Sequence, residues 1–137
     1  MPRFVIHLHH ARHLHYDLRL EMDGVLKSWA VPKEPVADTK VRRLAIQVED
    51  HDLDYIDFTG DIPEGEYGAG HVEIWDSGTY DLLESEPALL RIHLHGKRLS
   101  GPWKLIHTHY PPGNQWLFIA SRGAAMADAE EDAKDGN

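Results

Sequence analysis

The stretch Leu14-His15-Tyr16-Asp17-Leu18-Arg19-Leu20-Glu21 alternates at every residue. Successive side chains of a strand point to opposite faces. Leu14, Tyr16, Leu18 and Leu20 therefore share one face, and His15, Asp17, Arg19 and Glu21 the other. Asp23-Gly24 follows, a pair that readily adopts the positive φ angles of a two-residue hairpin turn. Val25–Val31 then reads as the returning strand, stopped by Pro32. This hairpin sets an antiparallel, all-β reading.

Working outward, residues 3–8 form an apolar opening run. Residues 44–49 alternate again, with Leu44, Ile46 and Val48 opposite Ala45, Gln47 and Glu49. Residues 51–58 read as a strand or extended edge. Further strands are expected at 71–75, 79–83, 89–95, 102–108 and 116–120, separated by Asp76-Ser77-Gly78, Gly96-Lys97 and Pro111-Pro112-Gly113-Asn114. Residues 32–39 and 63–70 are loops, and a turn of helix is expected near 39–43. With one apolar face per strand, the economical closure is a compact antiparallel β-barrel of about eight strands, with at most short helical turns. Trp29, Trp75, Trp103 and Trp116 are assigned to its core or rim.

The chain has 137 residues, room for one domain, and 42% of them are apolar. It has no cysteine, which excludes disulfides, thiolate metal sites and a cysteine nucleophile. No apolar run approaches the roughly 18 residues of a membrane span, and the opening Met-Pro-Arg-Phe-Val-Ile-His lacks a signal-peptide core. The expectation is a cytoplasmic protein with no membrane partner. The formal net charge is −9, which argues against a sequence-independent grip on a long nucleic-acid tract. Asp128, Glu130, Glu131, Asp132 and Asp135 concentrate acid at the end. The domain is therefore drawn at residues 1–123, with an acidic, flexible tail at 124–137.

Histidine is the outlier: five of the eleven lie between His7 and His15. On a strand, His15, Asp17 and Arg19 project together. Two imidazoles and a carboxylate make an open divalent-metal site, and His9, in the preceding turn, is placed to complete it. Arg19 beside them suits an oxyanion such as phosphate. The alternative is a polar strand face carrying an Asp–Arg pair. His51, followed by Tyr55, reads as a phosphate contact, a general acid or a strand-end polar cluster. Arg91 with His93 and His95, and His107 with His109, read as solvated faces. Gly65, Gly68 and Gly70 lack the Lys-Ser/Thr and following helix of a phosphate loop, so that loop reads as a structural turn.

Phe4-Val5-Ile6, then His13 to Glu21, Asp23 to Lys33, Val48-Glu49-Asp50-His51 with Asp54-Tyr55, Ile62 to Gly70, and the stretch 94–103 together resemble the 3′-phosphoesterase domain of bacterial ligase D. The resemblance covers about residues 3–122. It implies a manganese-dependent hydrolase, with zinc or cobalt as substitutes, that removes a 3′-terminal ribonucleoside and then the remaining 3′-phosphate during DNA repair by end joining. It implies His9, His15 and Asp17 as metal ligands. Arg19 and His51 would hold the scissile phosphate with Tyr55 beside them, and Arg43, Glu49 and Lys33 match further polar positions. Expected partners are nucleic-acid 3′ ends and a separate DNA ligase or end-joining protein, for a free-standing monomer. The family's N-terminal arm is missing, which points to a slower diesterase step. His7 stands where Gln is usual, His10 where Asp is common and Glu34 where Gly is common. The two histidines either bind a second ion or face solvent.

Two other classes use the same pieces. His15-Tyr16-Asp17 also spells the His-x-Asp of iron/2-oxoglutarate oxygenases, and a non-catalytic metal- or nucleic-acid-binding module needs no reaction at all.

Overall fold

The computed structural model describes residues 1–127. Asp23 and Gly24 take φ of 56° and 81°, so strand β2 (Leu14–Met22) returns as β3 (Val25–Val31) after two residues. Ahead of them lies β1 (Arg3–His10). After them come β4 (Arg43–His51), β5 (Gly60–Ile62), β6 (Gly70–Glu86), β7 (Leu89–Gly96), β8 (Leu99–His107), β9 (Gln115–Ala120) and β10 (Ala125–Met126). Eight strands close an antiparallel barrel in the order β1-β2-β3-β4-β9-β8-β7-β6, with β6 pairing back onto β1. The short β5 adds to β6 and β10 to β8.

The two strands expected at 71–75 and 79–83 are one. β6 runs through Asp76-Ser77-Gly78 without a turn, lying along β1 at 71–79 and along β7 at 78–86. Two features hold it there. Asp76 is buried, and its carboxylate accepts four backbone N–H groups, from Ser77, Lys97, Arg98 and Leu99. A Cβ on Gly78 would collide with the His95 carbonyl, so only glycine lets the two strands approach.

The barrel is filled from the apolar face of β2 and its counterparts. Tyr16, Leu18 and Leu20 meet Phe4, Ile6, Trp29, Tyr80, Ile92, Leu94, Trp103 and Phe118 in one cluster. All four tryptophans belong to it, Trp29 edge-to-face on Trp116 and Trp103 stacked on Phe118. The apolar face read for β4 points the other way. Ala45 is the core residue, Gln47 accepts the Trp116 indole N–H, and Leu44 is exposed. The large Trp116 and Trp29 fill the space beside β4, so a small residue suffices there.

No helical turn forms at 39–43. Asp38 instead takes the amides of Lys40 and Val41 in a tight turn. A 3-10 turn forms at Leu53–Asp57, where an extended edge was expected. Leu53 and Ile56, three residues apart, pack it onto Val5 and Leu26 on the outside of the barrel.

The tail expectation is corrected at its start. Ala124 and Met126 pack against the core, Ala125 and Met126 pair with β8, and the Ala127 N–H reaches the Arg98 carbonyl. The expectation for 128–137 lies outside the described residues. Among the described residues, no helix is long and apolar enough to cross a membrane.

Candidate active site

Cross-strand register builds the site before any side chain is considered. On β1 and β2, Val5 faces Arg19, His7 faces Asp17 and His9 faces His15. On β2 and β3, Arg19 faces Ser28 and Asp17 faces Ala30. Directly opposed residues point to the same side of a sheet. His7, His9, His15, Asp17, Arg19 and Ser28 therefore form one polar patch on the outside of the barrel.

This patch is not open to solvent. Asp17 and Arg19 are 5% and 4% exposed, and His7 is fully buried. The excursion between β4 and β6, residues 52–69, folds over it. Ile56 anchors this roof, and Tyr55 closes it. The Tyr55 ring centroid lies 5.0 Å from the Arg19 guanidinium, with the ring edge-on to His7, against His51, and stacked on Phe58. A cavity of about 830 Å³ remains between the roof and β1–β4.

His9 Nδ1, His15 Nε2 and one Asp17 oxygen converge in it, separated by 3.1 Å (His9–His15), 3.2 Å (His15–Asp17) and 3.6 Å (His9–Asp17). Backbone carbonyls fix both imidazoles. His9 Nε2–H donates to the Gly68 carbonyl at 2.8 Å, and His15 Nδ1–H donates to the His13 carbonyl at 2.9 Å. A neutral imidazole carries one proton, so each ring turns a bare nitrogen toward the centre. Such outer carbonyl partners are typical of metal-binding histidines. A cation bonded at roughly 2.1 Å to each atom has neighbouring ligands about 3.0–3.4 Å apart, so the donor set fits a divalent ion. His13 contributes only its carbonyl.

Arg19 is clamped beside the trio. Its Nε donates to His7 Nδ1, Nη1 to Ser28 Oγ at 2.8 Å and to His51 Nδ1 at 3.1 Å, and Nη2 to Asp17. Of its five N–H groups, one on Nη2 is left uncommitted by these contacts. Since Arg19 donates, His7 Nδ1 is bare and His7 Nε2–H donates to the Phe58 carbonyl. Burial, then the Arg19 charge, pushes His7 down to about 4. Burial alone would raise the Asp17 carboxyl. When a facing nitrogen takes up a second proton in place of an ion, His15 and His9 donate to Asp17, and those bonds with the Arg19 charge outweigh burial and hold Asp17 well below the usual carboxylate range. The bond to Asp17 raises His15, and burial with Arg19 lowers His51.

His51 reaches this face through a bulge. Ser28 faces Val48 and Leu26 faces His51, so Glu49 and Asp50 together oppose the single Lys27. The extra residue turns His51 onto the side of Val48, which regular alternation denies it. His51 Nδ1 lies near both Arg19 and the Glu49 carbonyl. A neutral ring satisfies one of these at a time, and pairing with Arg19 leaves Nε2–H free.

Three expected site residues do not line the cavity. Glu49 sits exposed in the bulge, Lys33 is exposed just after β3, and Arg43 Nε is bonded to the Glu34 carbonyl. Ser28 and the carbonyls of Phe58 and Gly68 are the positioning groups that sequence reading missed, and His7, expected to bind a second ion or face solvent, is instead buried and accepts from Arg19. The glycine-bearing loop at 63–70, read as a structural turn, also lines the cavity. The other histidine sets pair locally: His95 with Asp81, and His107 with Trp116 and the Gly113 carbonyl.

A family model described as the DNA ligase D 3′-phosphoesterase domain matches residues 7–107. The multifunctional non-homologous end joining protein LigD of Pseudomonas aeruginosa is 49% identical over 126 residues, 88% of this chain and 15% of its own length. The corresponding DNA repair protein of Mycobacterium tuberculosis is 55% identical over 118 residues, 83% of this chain and 15% of its own. The LigD protein of Mycolicibacterium smegmatis is 47% identical over 140 residues, 94% of this chain and 18% of its own. The chain thus spans less than a fifth of the length of these relatives. The matched segment contains β2, His9, His15, Asp17, Arg19, His51 and the whole roof, and the chain belongs to the DNA ligase D 3′-phosphoesterase domain family.

Proposed function

We propose that this protein is a divalent-metal-dependent 3′-phosphoesterase that clears nucleic-acid 3′ ends to a 3′-hydroxyl for end-joining repair, with manganese as the preferred ion. The carrying observation is the convergence of two bare imidazole nitrogens and a carboxylate beside a clamped arginine, under a roof that still leaves a cavity. His9, His15 and Asp17 would hold the ion, which supplies Lewis-acid polarisation of a phosphoryl oxygen and a more acidic water. Arg19 is fixed before substrate arrives, so its charge meets the charge growing on the phosphoryl oxygens without reorganisation. His51, with Nε2–H directed away from Arg19, donates to the phosphate or to the departing oxygen. Tyr55 excludes water above the guanidinium and keeps its field strong.

A 3′-phosphate exposes its whole head group to these residues, so its removal is the reaction the site serves best. A 3′-terminal ribonucleoside needs its sugar positioned as well, and we place that step second. The acidic balance of the chain suits recognition of an end and a few flanking phosphates. A ligase or end-joining protein would take up the product.

The test uses two primer–templates, one ending in a 3′-phosphate and one in a single ribonucleotide, after chelation and with Mn²⁺, Zn²⁺ or Co²⁺ restored. Metal-dependent release of phosphate is expected, with each of His9→Ala, His15→Ala and Asp17→Ala inactive but folded. Full turnover in chelator, or in any of the three variants, overturns the assignment. Turnover of 2-oxoglutarate with Fe²⁺ by the same protein would select the oxygenase reading instead.

A further inference from the structure

His9 and His10 are neighbours on β1 and so face opposite sides of the sheet. His9 belongs to the trio. His10 lies across from His71 of β6, and Glu73 stands two residues further along β6 on the same side. His71 in turn faces Asp61 of β5. His71 Nδ1 is held by the Asp61 carboxylate at 2.9 Å, and His71 Nε2 lies 3.6 Å from one Glu73 oxygen. His10 Nε2 lies 3.7 Å from the other, and the two rings are 5.8 Å apart.

We propose that His10, His71 and Glu73 form a second divalent-cation site at the mouth of the barrel, with Asp61 as the residue that positions His71. The chemistry rests on three points. Two imidazoles and one carboxylate favour borderline ions such as Zn²⁺, Co²⁺ or Ni²⁺ over Mg²⁺. The Asp61–His71 bond is the outer carboxylate that fixes a ligand's tautomer and presents its other nitrogen. The three ligand side chains are about half exposed. The set is looser than the trio: each imidazole nitrogen stands 3.6–3.7 Å from a different Glu73 oxygen, and the two rings are 5.8 Å apart. Rotation of the exposed His10 and Glu73 side chains closes it. His10 also lines the rim of the site cavity. An ion here puts positive charge at the entrance of a chain carrying −9, where a phosphate backbone approaches. Binding of the ion does not depend on the reaction proposed above; only the role given to its charge rests on that reading.

The experiment is a Zn²⁺ titration of the full chain, followed by the ring-nitrogen NMR signals of each histidine. His10 and His71 should shift together at one midpoint. Asp61→Asn should weaken that midpoint about 10–100-fold, and Glu73→Gln should abolish the joint shift. In Asp17→Ala the joint shift should persist, which separates it from the trio. Rings of His10 and His71 that move at different midpoints, or stay unmoved at Zn²⁺ levels that saturate His9 and His15, overturn the proposal. A Zn²⁺-soaked crystal of the unmodified chain gives a readout that no variant can spoil: an anomalous peak between His10 and His71 is expected, and its absence overturns the site.

Discussion

Replacing Asp76 by Asn tests whether one buried carboxylate holds the long strand β6 to the β7–β8 turn. Asp76 is 3% exposed, and its Oδ1 accepts from the amides of Ser77, Lys97 and Arg98 at 2.9, 2.8 and 3.0 Å. Oδ2 accepts from Leu99 at 2.8 Å. Asparagine offers one acceptor oxygen. If it serves the three amides, its NH₂ group faces the Leu99 N–H, and a bond to a charged acceptor worth about 1.5–3 kcal/mol is lost. The Leu99 donor is left buried, so about 3 kcal/mol is the expected cost. Alanine orphans all four donors, and the cost should exceed about 4 kcal/mol. That is a large part of a domain stability of about 5–15 kcal/mol, so Asp76→Asn is the informative variant. Urea unfolding followed by far-UV circular dichroism at pH 7 and 25 °C measures it, with equal slopes required for comparison. A loss under about 1 kcal/mol for Asp76→Asn would refute the reasoning.

Other perturbations probe the roof, the site and the chain end. Ile56→Ala removes the anchor on Val5 and Leu26 and should cost about 2 kcal/mol, with hydrogen exchange accelerated at 52–58 and unchanged in β7 and β8; uniform acceleration would show that the roof is not a separate unit. His7 titrates near 6.5 when unfolded but is pushed down to about 4 in the fold, so the unfolded chain gains its proton first and stability is lost as pH falls through that window. His7→Gln should therefore gain about 2 kcal/mol relative to the parent between pH 7.5 and 5.0, measured by urea unfolding in chelator; parallel pH profiles would contradict it. Ending the chain at residue 123 removes β10 and the burial of Ala124 and Met126, and should cost about 1–3 kcal/mol by thermal or urea unfolding. An unchanged midpoint would mean that the contact contributes nothing.

The barrel was legible because β2 states its period and Asp23-Gly24 states its turn. Those two facts also determine that Arg19 opposes Ser28, since a two-residue turn fixes the register of the whole hairpin. The trio could be gathered because its members are two residues apart on one strand or directly across from each other. What could not be read was long-range. Nothing local says that residues 52–69 cover the polar face of β2, so the burial of His7, Asp17 and Arg19 could not be read from it. The bulge at Glu49 and Asp50 carries no turn residue, so the turn of His51 onto the polar face could not be read from alternation. Asp76-Ser77-Gly78 looks like a turn until its carboxylate meets amides more than twenty residues away. Leu44, Ile46 and Val48 imitated a core face because the outside of β4 is itself partly covered at the cavity, where Val48 lies.

The roof is joined to the polar patch by two of its own carbonyls, Phe58 to His7 and Gly68 to His9. Opening the roof releases both rings, and a released ring no longer presents a chosen nitrogen. Closing the roof and offering the lone pair of His9 are thus a single equilibrium. Whatever binds that lone pair shifts the roof toward its closed position by RT ln(1 + [L]/Kd). By reciprocity, a partner that lifts the segment 52–69 loosens the ligand by the same factor. Access to the cavity and affinity at its floor are therefore set against each other, and whatever is bound there leaves most easily when the roof is open.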